Sequence, residues 1–396
     1  MTLTAEIASE EGLRALFALR PGVLFFNHGS YGACPREVLE SYHQMQWRFE
    51  EQPVEFVDRT LSRSLAETRA QVAPYLGAAP DDIVFAPNST NALRIMTRRL
   101  ALQPGDEVLT SDHEYHTMEA YWSWLCEVRG ARYVHQHVPL PVDSPEAIVE
   151  ALWAGVTPRT RVLFFSHITS PSALTMPLEL LVARARAHGI LTIVDGAHAP
   201  GQRPLALHAS GVDVYMASCH KWMLAPRGSG FLYVRREMQP LLWGEPPLAE
   251  GATPKHSLAE LQWQGTRDLS SYLSIPAAIE FMARHNWPTQ QARCHGLVQY
   301  ARERLAAFTG LPQVTPDSPA WYAQMAPLPL PRCDSGYLLQ QLRQVWNIEV
   351  PITGYNGQQF LRLSVQAYNT RAEVDTLLEA VTTTLPEAVR RAEAKG

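Results

Sequence analysis

Between about residue 80 and about residue 240, short apolar runs alternate along the chain with helix-like stretches. The apolar runs have the length and composition of strands, and they read "DIVFAP", "DEVLTS", "ARYVHQHV", "RVLFFSH", "ILTIVD", "VDVYMAS" and "GFLYVRR". Helix-like segments lie between several of them, such as "PLELLVARARAHG", which ends at a His-Gly stop signal. Nearly continuous apolar strands separated by helices predict an α/β fold whose mostly parallel sheet is covered on both faces.

The pattern changes from about residue 273 onward. Long amphipathic stretches, "IPAAIEFMARHNW" and "CHGLVQYARERLAAF", are followed by the short strand-like runs "NIEVPI" and "QFLRLSV". This order is typical of a second, smaller α+β domain. We therefore predict an N-terminal segment over residues 1–30 that joins the small domain, a large domain over 31–272 and a small domain over 273–396.

Composition narrows the possible partners. A chain of 396 residues is long enough for a large core, and its formal net charge of −5 provides no basic surface for nucleic acid. No uncharged apolar run approaches the ~20 residues that a bilayer-spanning helix needs. The five cysteines are odd in number, widely spaced and free of a CxxC motif, which is typical of reduced thiols. We predict a cytoplasmic protein that binds neither nucleic acid nor membrane.

Polar side chains follow the predicted strands at the points where the strands end. In an open parallel sheet, ligands bind at the carboxyl ends of the strands. After "DIVFAP", Ser89 and Thr90 begin a helix, whose free N–H groups suit a phosphate, although an ordinary helix cap would have the same sequence. The later strands deliver ionisable and hydroxyl groups to the same edge, namely Asp195, His198, Ser218, His220 and Lys221.

One cofactor uses all of these groups together. Pyridoxal phosphate needs a lysine to carry it, an acid opposite its pyridine nitrogen, a phosphate-binding cup and a ring stacked on its face. An ordinary lysine titrates near ~10.4, but a desolvated and electropositive pocket favours the neutral amine that attacks an aldehyde. Lys221 and Asp195 would fill the first two roles, although a solvated lysine and a turn-capping aspartate remain the alternatives.

The motif "VDGAHAPG", followed by "SCHKWMLAPRGSGFLYV", resembles the class V aminotransferase family of fold-type I pyridoxal-phosphate enzymes. Within that family, "FFNHGSYGACP", "SHITSPSAL", "QGTRD" and "FLRLSVQAYNT" most resemble the isopenicillin N epimerase-like branch, which also contains lyases of ergothioneine-type pathways. The resemblance runs from Asn27 to Asn369. It implies a fold-type I architecture, pyridoxal 5'-phosphate as the cofactor and a homodimer with active sites at the interface.

By position, the resemblance assigns cofactor-binding roles. It implies that Lys221 carries the cofactor, that Asp195 partners the pyridine nitrogen and that His198 approaches the phenolic oxygen. Tyr115 stands where the family normally stacks a histidine on the ring, and Ser170 stands where the family often has an asparagine near the phenolic oxygen. Both are departures from the family pattern, and the first removes an imidazole that could move protons.

The remaining assignments concern the phosphate and the substrate. The resemblance places four residues in the phosphate cup: Ser89, Thr90, Ser218 and His220. It implies that Thr266, in "QGTRD", reaches the phosphate of the neighbouring subunit. Arg362 resembles the arginine that binds the substrate α-carboxylate, a task that suits a planar guanidinium. Asn27 and His28 are expected to line the substrate entrance.

The reaction itself stays open between three outcomes after Lys221 removes a proton from Cα. These are epimerisation, loss of a β sulfur group as in hercynylcysteine sulfoxide lyase, and transamination. Epimerisation needs a second proton carrier, for which Tyr115 and His116 are the candidates if they are not core aromatic residues. The resemblance favours an epimerase or racemase acting on an amino acid.

Three other classes of protein are disfavoured. A cysteine desulfurase carries a nucleophilic cysteine shortly before its carboxylate-binding arginine, but no cysteine lies between Asn347 and Arg362. A dinucleotide-binding enzyme would have a GxGxxG motif after its first strand, and none follows it here. No HExxH motif occurs either, and we predict no metal site.

Overall fold

The computed structural model describes residues 10–242, 261–262 and 265–395 of the chain. The strand-forming segments are rich in Val, Ile, Leu and Phe, as expected for buried strands. Within the described residues the strands are β1 (Leu24–Phe25), β2 (Ile83–Ala86), β3 (Glu107–Ser111), β4 (Arg132–Gln136), β5 (Thr160–Ser166), β6 (Leu191–Asp195), β7 (Val214–Ser218), β8 (Gly230–Val234), β9 (Met325–Leu330), β10 (Ile348–Glu349), β11 (Ile352–Tyr355) and β12 (Gln358–Ser364).

The helices begin and end at recognisable signals. For example, the Ser144 hydroxyl accepts from the N–H of Ala147, and Thr370 forms a capping box with Glu373. The α-helices are α1 (Glu10–Ala15), α2 (His28–Tyr31), α3 (Arg36–Glu51), α4 (Pro53–Glu55), α5 (Leu61–Leu76), α6 (Ser89–Thr97), α7 (His116–Arg129), α8 (Pro145–Trp153), α9 (Leu178–Ala187), α10 (Leu207–Ser210), α11 (Ser270–Leu273), α12 (Ile275–Arg284), α13 (Trp287–Thr309), α14 (Ser335–Gln344) and α15 (Arg371–Ala394).

The large sheet has seven strands in the order β2-β8-β7-β6-β5-β3-β4. The pairs β3–β4, β3–β5, β5–β6 and β6–β7 are parallel, whereas β8 runs antiparallel to both β7 and β2. Six of the strands therefore point the same way, and their carboxyl ends lie at one edge of the sheet. The predicted α/β fold with a mostly parallel sheet is confirmed.

Alternate residues of each strand enter different parts of the core. On β5, Val162 and Phe164 pack in a cluster that contains residues of α6 and α7, while Leu163 and Phe165 pack in the larger cluster with residues of α5, α8 and α9. Successive side chains of a strand point to opposite faces, so both faces of the sheet are covered. This arrangement explains why the central strands, such as β5 and β6, are buried along nearly their whole length rather than at alternate residues.

The C-terminal part of the chain forms a separate antiparallel sheet of order β11-β12-β9, flanked by α13, α14 and α15. The strand β1 pairs in parallel with β10, and the N–H of Ser364 donates to the carbonyl of Phe26. The N-terminal segment therefore hydrogen-bonds with the C-terminal part of the chain. The division into residues 1–30, 31–272 and 273–396 remains a prediction.

Every helix in the described ranges is too short or too polar to cross a membrane.

The turn after β7 carries Lys221, and other segments press closely against its main chain. Gly32 has φ +70°, and a Cβ at this position would lie 2.0 Å from the carbonyl oxygen of His220. The N–H of Gly32 donates to the carbonyl of His28, and its own carbonyl accepts from Arg227. Residue 32 must therefore be glycine for the N-terminal segment to pack against this turn.

We expect Gly32→Ala to destabilise the protein more than Gly189→Ala. Both glycines have positive φ, and an alanine in that region costs about 1–2 kcal/mol. Around Gly189, however, no atom lies within 4 Å of the added Cβ, whereas at Gly32 the Cβ meets the backbone. Urea denaturation of both variants measures the difference in the free energy of unfolding. Equal losses would show that the contact with the Lys221 turn is not tight.

Candidate active site

A cavity of about 270 Å³ opens at the carboxyl edge of the large sheet. It is bordered by residues that follow β2, β5, β6 and β7 and by the end of α2. Nine of the residues predicted from the sequence line it: Ser89, Thr90, Tyr115, Ser170, Asp195, His198, Ser218, His220 and Lys221. The remaining lining residues are Ser30, Tyr31, Asn88, Ser166 and Ala197.

The amine of Lys221 faces this cavity beside an imidazole. Its Nζ lies 3.3 Å from Nε2 of His198. Burial lowers the pKa of Lys221 to about 8, and the positive charge of Arg362 acts in the same direction, whereas the carboxylate of Asp195 opposes the shift. An amine with this pKa is substantially neutral near pH 8, and only the neutral form is a nucleophile or a base.

Asp195 is the last residue of β6, where it pairs with Ser166 of β5. Its Oδ1 accepts a hydrogen bond from the N–H of Ala197 at 2.9 Å. Burial raises the pKa of this carboxyl, while that hydrogen bond and the charge of Lys221 lower it. A buried carboxylate is stabilised by a cationic partner, so this position suits a protonated ring nitrogen.

Backbone and hydroxyl donors gather at the start of α6. Asn88 caps the helix by accepting from the N–H of Asn91, and the N–H of Ser89 donates to Oγ of Ser218 at 3.2 Å. The free N–H groups and the dipole of a helix N-terminus attract an anion. His220 lines the same cavity, and burial lowers its pKa to about 4, which makes the ring a neutral donor or acceptor.

The two aromatic residues proposed as proton carriers occupy different positions. Tyr115, which precedes the first residue of α7, is half-buried and lines the cavity. His116 is exposed and does not line it, although its ring lies 4.5 Å from that of Tyr115, centroid to centroid. Of the two candidates, the geometry brings only Tyr115 to the cavity.

Arg362, on β12, reaches the border of the cavity through two serines. Its Nη1 donates to the carbonyl and hydroxyl of Ser170 at 2.7 and 3.1 Å, and its Nη2 donates to Oγ of Ser30 at 3.2 Å. Its buried Nε has no hydrogen-bond partner among the described residues, and no carboxylate within them forms an ion pair with it. Burial lowers the pKa of the guanidinium to about 10. Within the described residues, the buried guanidinium of Arg362 therefore has no anionic partner.

His28 and Asn27 lie behind the lining of the cavity rather than in it. His28 is fully buried, with Nε2 3.0 Å from the carbonyl oxygen of Lys221 and Nδ1 3.0 Å from the hydroxyl of Tyr368. Asn27 bonds Glu349, and its Oδ1 accepts from the hydroxyl of Ser30. The expected entrance position is instead taken by Ser30 and the exposed Tyr31, because α2 turns residues 30 and 31 towards the cavity.

Thr266 lies apart from the cavity of its own chain. It is exposed, and it borders a small hollow that also contains Phe49 and Arg267. The expectation that Thr266 contacts the phosphate bound by a neighbouring subunit remains a prediction.

Among the contributors that were not predicted from the sequence, two are aromatic residues. Tyr31 is 71% exposed and lines the cavity, but nothing in "NHGSYG" marks it as more than a surface ring. Trp222 resembles a core residue because it is fully buried, yet its indole N–H donates to Nδ1 of His198 at 3.2 Å. Its place directly after Lys221 was the signal that could have indicated a role.

A pair of histidines with HxH spacing lies elsewhere, on and just after β4. His135 pairs with Glu119, and His137 pairs with Asp112. No group of three or more His, Cys, Asp or Glu residues in the described part of the chain is arranged to hold a metal ion.

Several named proteins are similar to this chain over nearly its full length. Isopenicillin N epimerase of Amycolatopsis lactamdurans is 36% identical, with 93% of this chain and 96% of the relative covered. The enzyme of the same name from Streptomyces clavuligerus is 34% identical, with 95% and 98% covered. A putative L-cysteine desulfhydrase 2 of Oryza sativa subsp. japonica is 29% identical, with 95% and 88% covered.

Solved structures show the same fold. The cysteine desulfurase CsdA of Escherichia coli superposes with a TM-score of 0.80 at 22% identity, covering 96% of this chain and 99% of that one. A C-DES variant with glycine covalently linked to its PLP cofactor superposes with a TM-score of 0.81 at 20% identity, covering 94% and 99%. Residues 32–377 match the family described as aminotransferase class V. The predicted resemblance, the fold-type I architecture and pyridoxal phosphate as the cofactor are thereby confirmed, and the chain belongs to the class V aminotransferase family of pyridoxal-phosphate enzymes.

Proposed function

We propose that this protein is an isopenicillin N epimerase-like enzyme that inverts the configuration at Cα of an amino-acid substrate. The observation that carries the proposal is the arrangement around one cavity of a buried amine, a buried carboxylate and an arginine without an anion, namely Lys221, Asp195 and Arg362. The two epimerase relatives, at 36% and 34% identity over nearly the whole chain, support the choice of reaction.

The cavity fits pyridoxal phosphate. Its donor set has an anion-binding end at Ser89, Thr90 and Ser218, a carboxylate at Asp195 and an amine at Lys221. When bound, pyridoxal phosphate supplies an electron sink for a carbanion at Cα. Asp195 would hold a proton on the ring nitrogen, and Tyr115 would pack against the ring. His198 would donate to the phenolic oxygen, and Ser170 would lie near the same oxygen.

Lys221 would remove the proton from Cα of the substrate. Its lowered pKa allows the neutral amine to act as a base near neutral pH, and its side chain lines the cavity in which the substrate would bind. Arg362 would hold the substrate α-carboxylate, which would supply the anion that the guanidinium lacks among the described residues. Ser30 and Ser170 already fix the orientation of that guanidinium through their hydrogen bonds.

Inversion requires a second group to return a proton to the opposite face of Cα. We propose Tyr115 for this role, because its ring lines the cavity, whereas the exposed His116 does not. A tyrosine hydroxyl both donates and accepts a proton and is a known general acid–base.

A C–S lyase of the hercynylcysteine sulfoxide lyase type is the second candidate function, and an aminotransferase is the third. The relative named as a putative L-cysteine desulfhydrase favours the lyase over the aminotransferase. A lyase would use the same base and the same carboxylate contact but would expel a sulfur group from Cβ. The proton on the opposite face of Cα would then not be needed.

A persulfide mechanism is disfavoured by the state of the cysteines. All five are free and buried. Burial raises the pKa of Cys333 to about 11 and also raises that of Cys219, so neither thiol forms the reactive thiolate readily. Sulfur chemistry here would proceed by direct elimination rather than by transfer to a protein cysteine.

We also propose a cytoplasmic homodimer with active sites at the interface. The exposed position of Thr266 supports the proposed reach across subunits, and Trp47 and Val54, at 73% and 61% exposure, offer apolar surface for a second copy. Five free cysteines support a reducing compartment.

The amine of Lys221 should react with formaldehyde and a reducing agent in a strongly pH-dependent way. Because its pKa is about 8, protonation suppresses methylation below that pH and deprotonation permits it above. The chain has only three lysines, so mass spectrometry assigns the label without ambiguity, and the exposed Lys395 reports the activity of the reagent. Bound pyridoxal phosphate should protect Lys221 and leave Lys395 reactive. Protection of another lysine instead would overturn the assignment.

Replacement of Arg362 by Gln should lower kcat/KM for amino acids by about 10- to 100-fold, because a charge-assisted contact contributes about 1.5–3 kcal/mol. Cα exchange of simple amines that lack the carboxylate should change much less. Arg302→Gln is the matched control, since Arg302 is also buried and its guanidinium, among the described residues, bonds Thr315 and stacks over the ring of Tyr322. Equal losses for acids and amines in Arg362→Gln would make Arg362 a structural residue.

Incubation of an amino-acid panel in D₂O tests the reaction and the role of Tyr115 together. The expected result is deuterium at Cα with inversion, measured by mass spectrometry and chiral chromatography. Tyr115→Phe should reduce inversion by about 10²–10⁴-fold while exchange with retention continues at Lys221. His116→Ala should behave like the wild type.

Release of ammonia and a keto acid without inversion would favour the lyase instead. An equal fall of exchange and inversion in Tyr115→Phe would restrict Tyr115 to packing.

A further inference from the structure

The indole of Trp222 is hydrogen-bonded inside the protein core. Its Nε1 donates to Nδ1 of His198 at 3.2 Å, and the side chain is fully buried. An indole nitrogen has a hydrogen to donate and no lone pair with which to accept. Nδ1 of His198 must therefore be the unprotonated nitrogen of the ring.

This contact determines what the other nitrogen of His198 does. A neutral imidazole with a bare Nδ1 carries its hydrogen on Nε2, and that atom lies 3.3 Å from Nζ of Lys221. Burial lowers the pKa of His198 well below its ordinary value, and the positive charges of Lys221 and Arg362 lower it further. The ring is thus a neutral donor directed at the lysine amine.

Trp222 has little freedom to move away from this contact. Its ring lies 4.9 Å from that of His28, centroid to centroid, and it packs in a small apolar cluster with Ile168 and Met325. A Cβ added at Gly201 would lie 2.0 Å from the carbonyl oxygen of Trp222, so the main chain is closely held as well. The orientation of the indole N–H is fixed by packing.

A second histidine beside Lys221 is arranged in the same way. Nε2 of His28 lies 3.0 Å from the carbonyl oxygen of Lys221, which can only accept, so this nitrogen carries the hydrogen. Nδ1 of His28 then accepts from the hydroxyl of Tyr368 at 3.0 Å. In both rings, therefore, Nδ1 accepts a hydrogen bond from an aromatic side chain, and Nε2 carries a hydrogen that is directed at Lys221.

We propose that Trp222 is a positioning residue that holds His198 in the Nε2–H tautomer, so that His198 donates a hydrogen bond towards the Lys221 amine and does not accept one from it. The donor favours the neutral, accepting form of that amine, which predominates above its pKa of about 8. The extension to the cofactor rests on the proposed function: the same N–H faces the place where the phenolic oxygen of pyridoxal phosphate would lie.

The test begins with the protein free of cofactor, labelled with ¹⁵N in its histidine rings. Long-range ¹H–¹⁵N correlation spectra report which ring nitrogen carries the hydrogen, and the His198 signals are those lost in His198→Gln. We expect Nε2–H for His198 across about pH 6 to 9, although a free histidine titrates near ~6.5. A hydrogen on Nδ1 in the wild-type protein would overturn the proposal without any tryptophan variant.

Trp222→Phe retains an aromatic ring and removes the N–H. We expect its His198 to populate the Nδ1–H tautomer. Trp122→Phe is the matched control, because Trp122 is equally buried but its Nε1 has no hydrogen-bond partner among the described residues. Unchanged His198 signals in Trp222→Phe, or the same change in both variants, would make Trp222 a packing residue only.

A second readout uses the protein loaded with pyridoxal phosphate. The pH midpoint of the visible absorbance of the bound cofactor should rise by up to about one unit in Trp222→Phe, since a hydrogen bond contributes about 0.5–1.5 kcal/mol and one pKa unit is 1.36 kcal/mol. Trp122→Phe should keep the wild-type midpoint. Failure of the wild type to bind pyridoxal phosphate would remove the proposed function, and the spectra of the cofactor-free protein would still decide the role of Trp222.

Discussion

The site depends on one constraint, which is the tight enclosure of the main chain that carries Lys221. The carbonyl oxygens of residues 220–222 are each contacted by a different segment: the first by Gly32, the second by the ring of His28 and the third by Gly201. Because both glycines approach where a Cβ would overlap the backbone, the turn has no room to shift. A lysine side chain is flexible, but here its starting point is fixed to the sheet and to the N-terminal segment at once. The position of the buried amine relative to the neighbouring side chains is therefore well defined.

Burial then sets the electrostatics of the cavity. Lys221 and Arg362 each carry a pKa lowered by desolvation, and Asp195 carries one raised by it. Two cationic groups face one carboxylate, while His198 and His220 are kept neutral by burial. A cavity of this kind is short of negative charge, and each cation becomes more stable when an anion enters. A ligand with a phosphate at one end and a carboxylate at the other would satisfy the helix N-terminus and the arginine, while its ring nitrogen could share a proton with the buried acid.

The sequence was sufficient for the fold and for much of the cavity, because both follow from local patterns. Apolar strands separated by helices define the parallel sheet, and residues just beyond strand ends, such as Asp195 and Lys221, must meet at its carboxyl edge. Side-chain directions in short helices were not predictable in this way. In α2, a four-residue helix, His28 turns into the core and Tyr31 turns towards the cavity, which reverses what the motif implied. The hydrogen bond of Trp222 was not predictable either, since a buried indole has the same sequence signal whether its N–H bonds a ring in the cavity or has no partner.

On the proposed function, inversion and elimination would share most of the groups around Cα of the substrate and differ in only a few of them. On the proposed function, removal of the Cα proton would use the amine of Lys221, the acid at Asp195 and a held carboxylate, and these groups would serve both reactions equally. What separates the reactions is the opposite face of Cα, where inversion needs a proton carrier and elimination needs only space for a leaving group. On the proposed function, Tyr115 would be the group that separates the two reactions, because it lines the cavity where the resembled family usually has a histidine and a phenol hydroxyl can both donate and accept a proton.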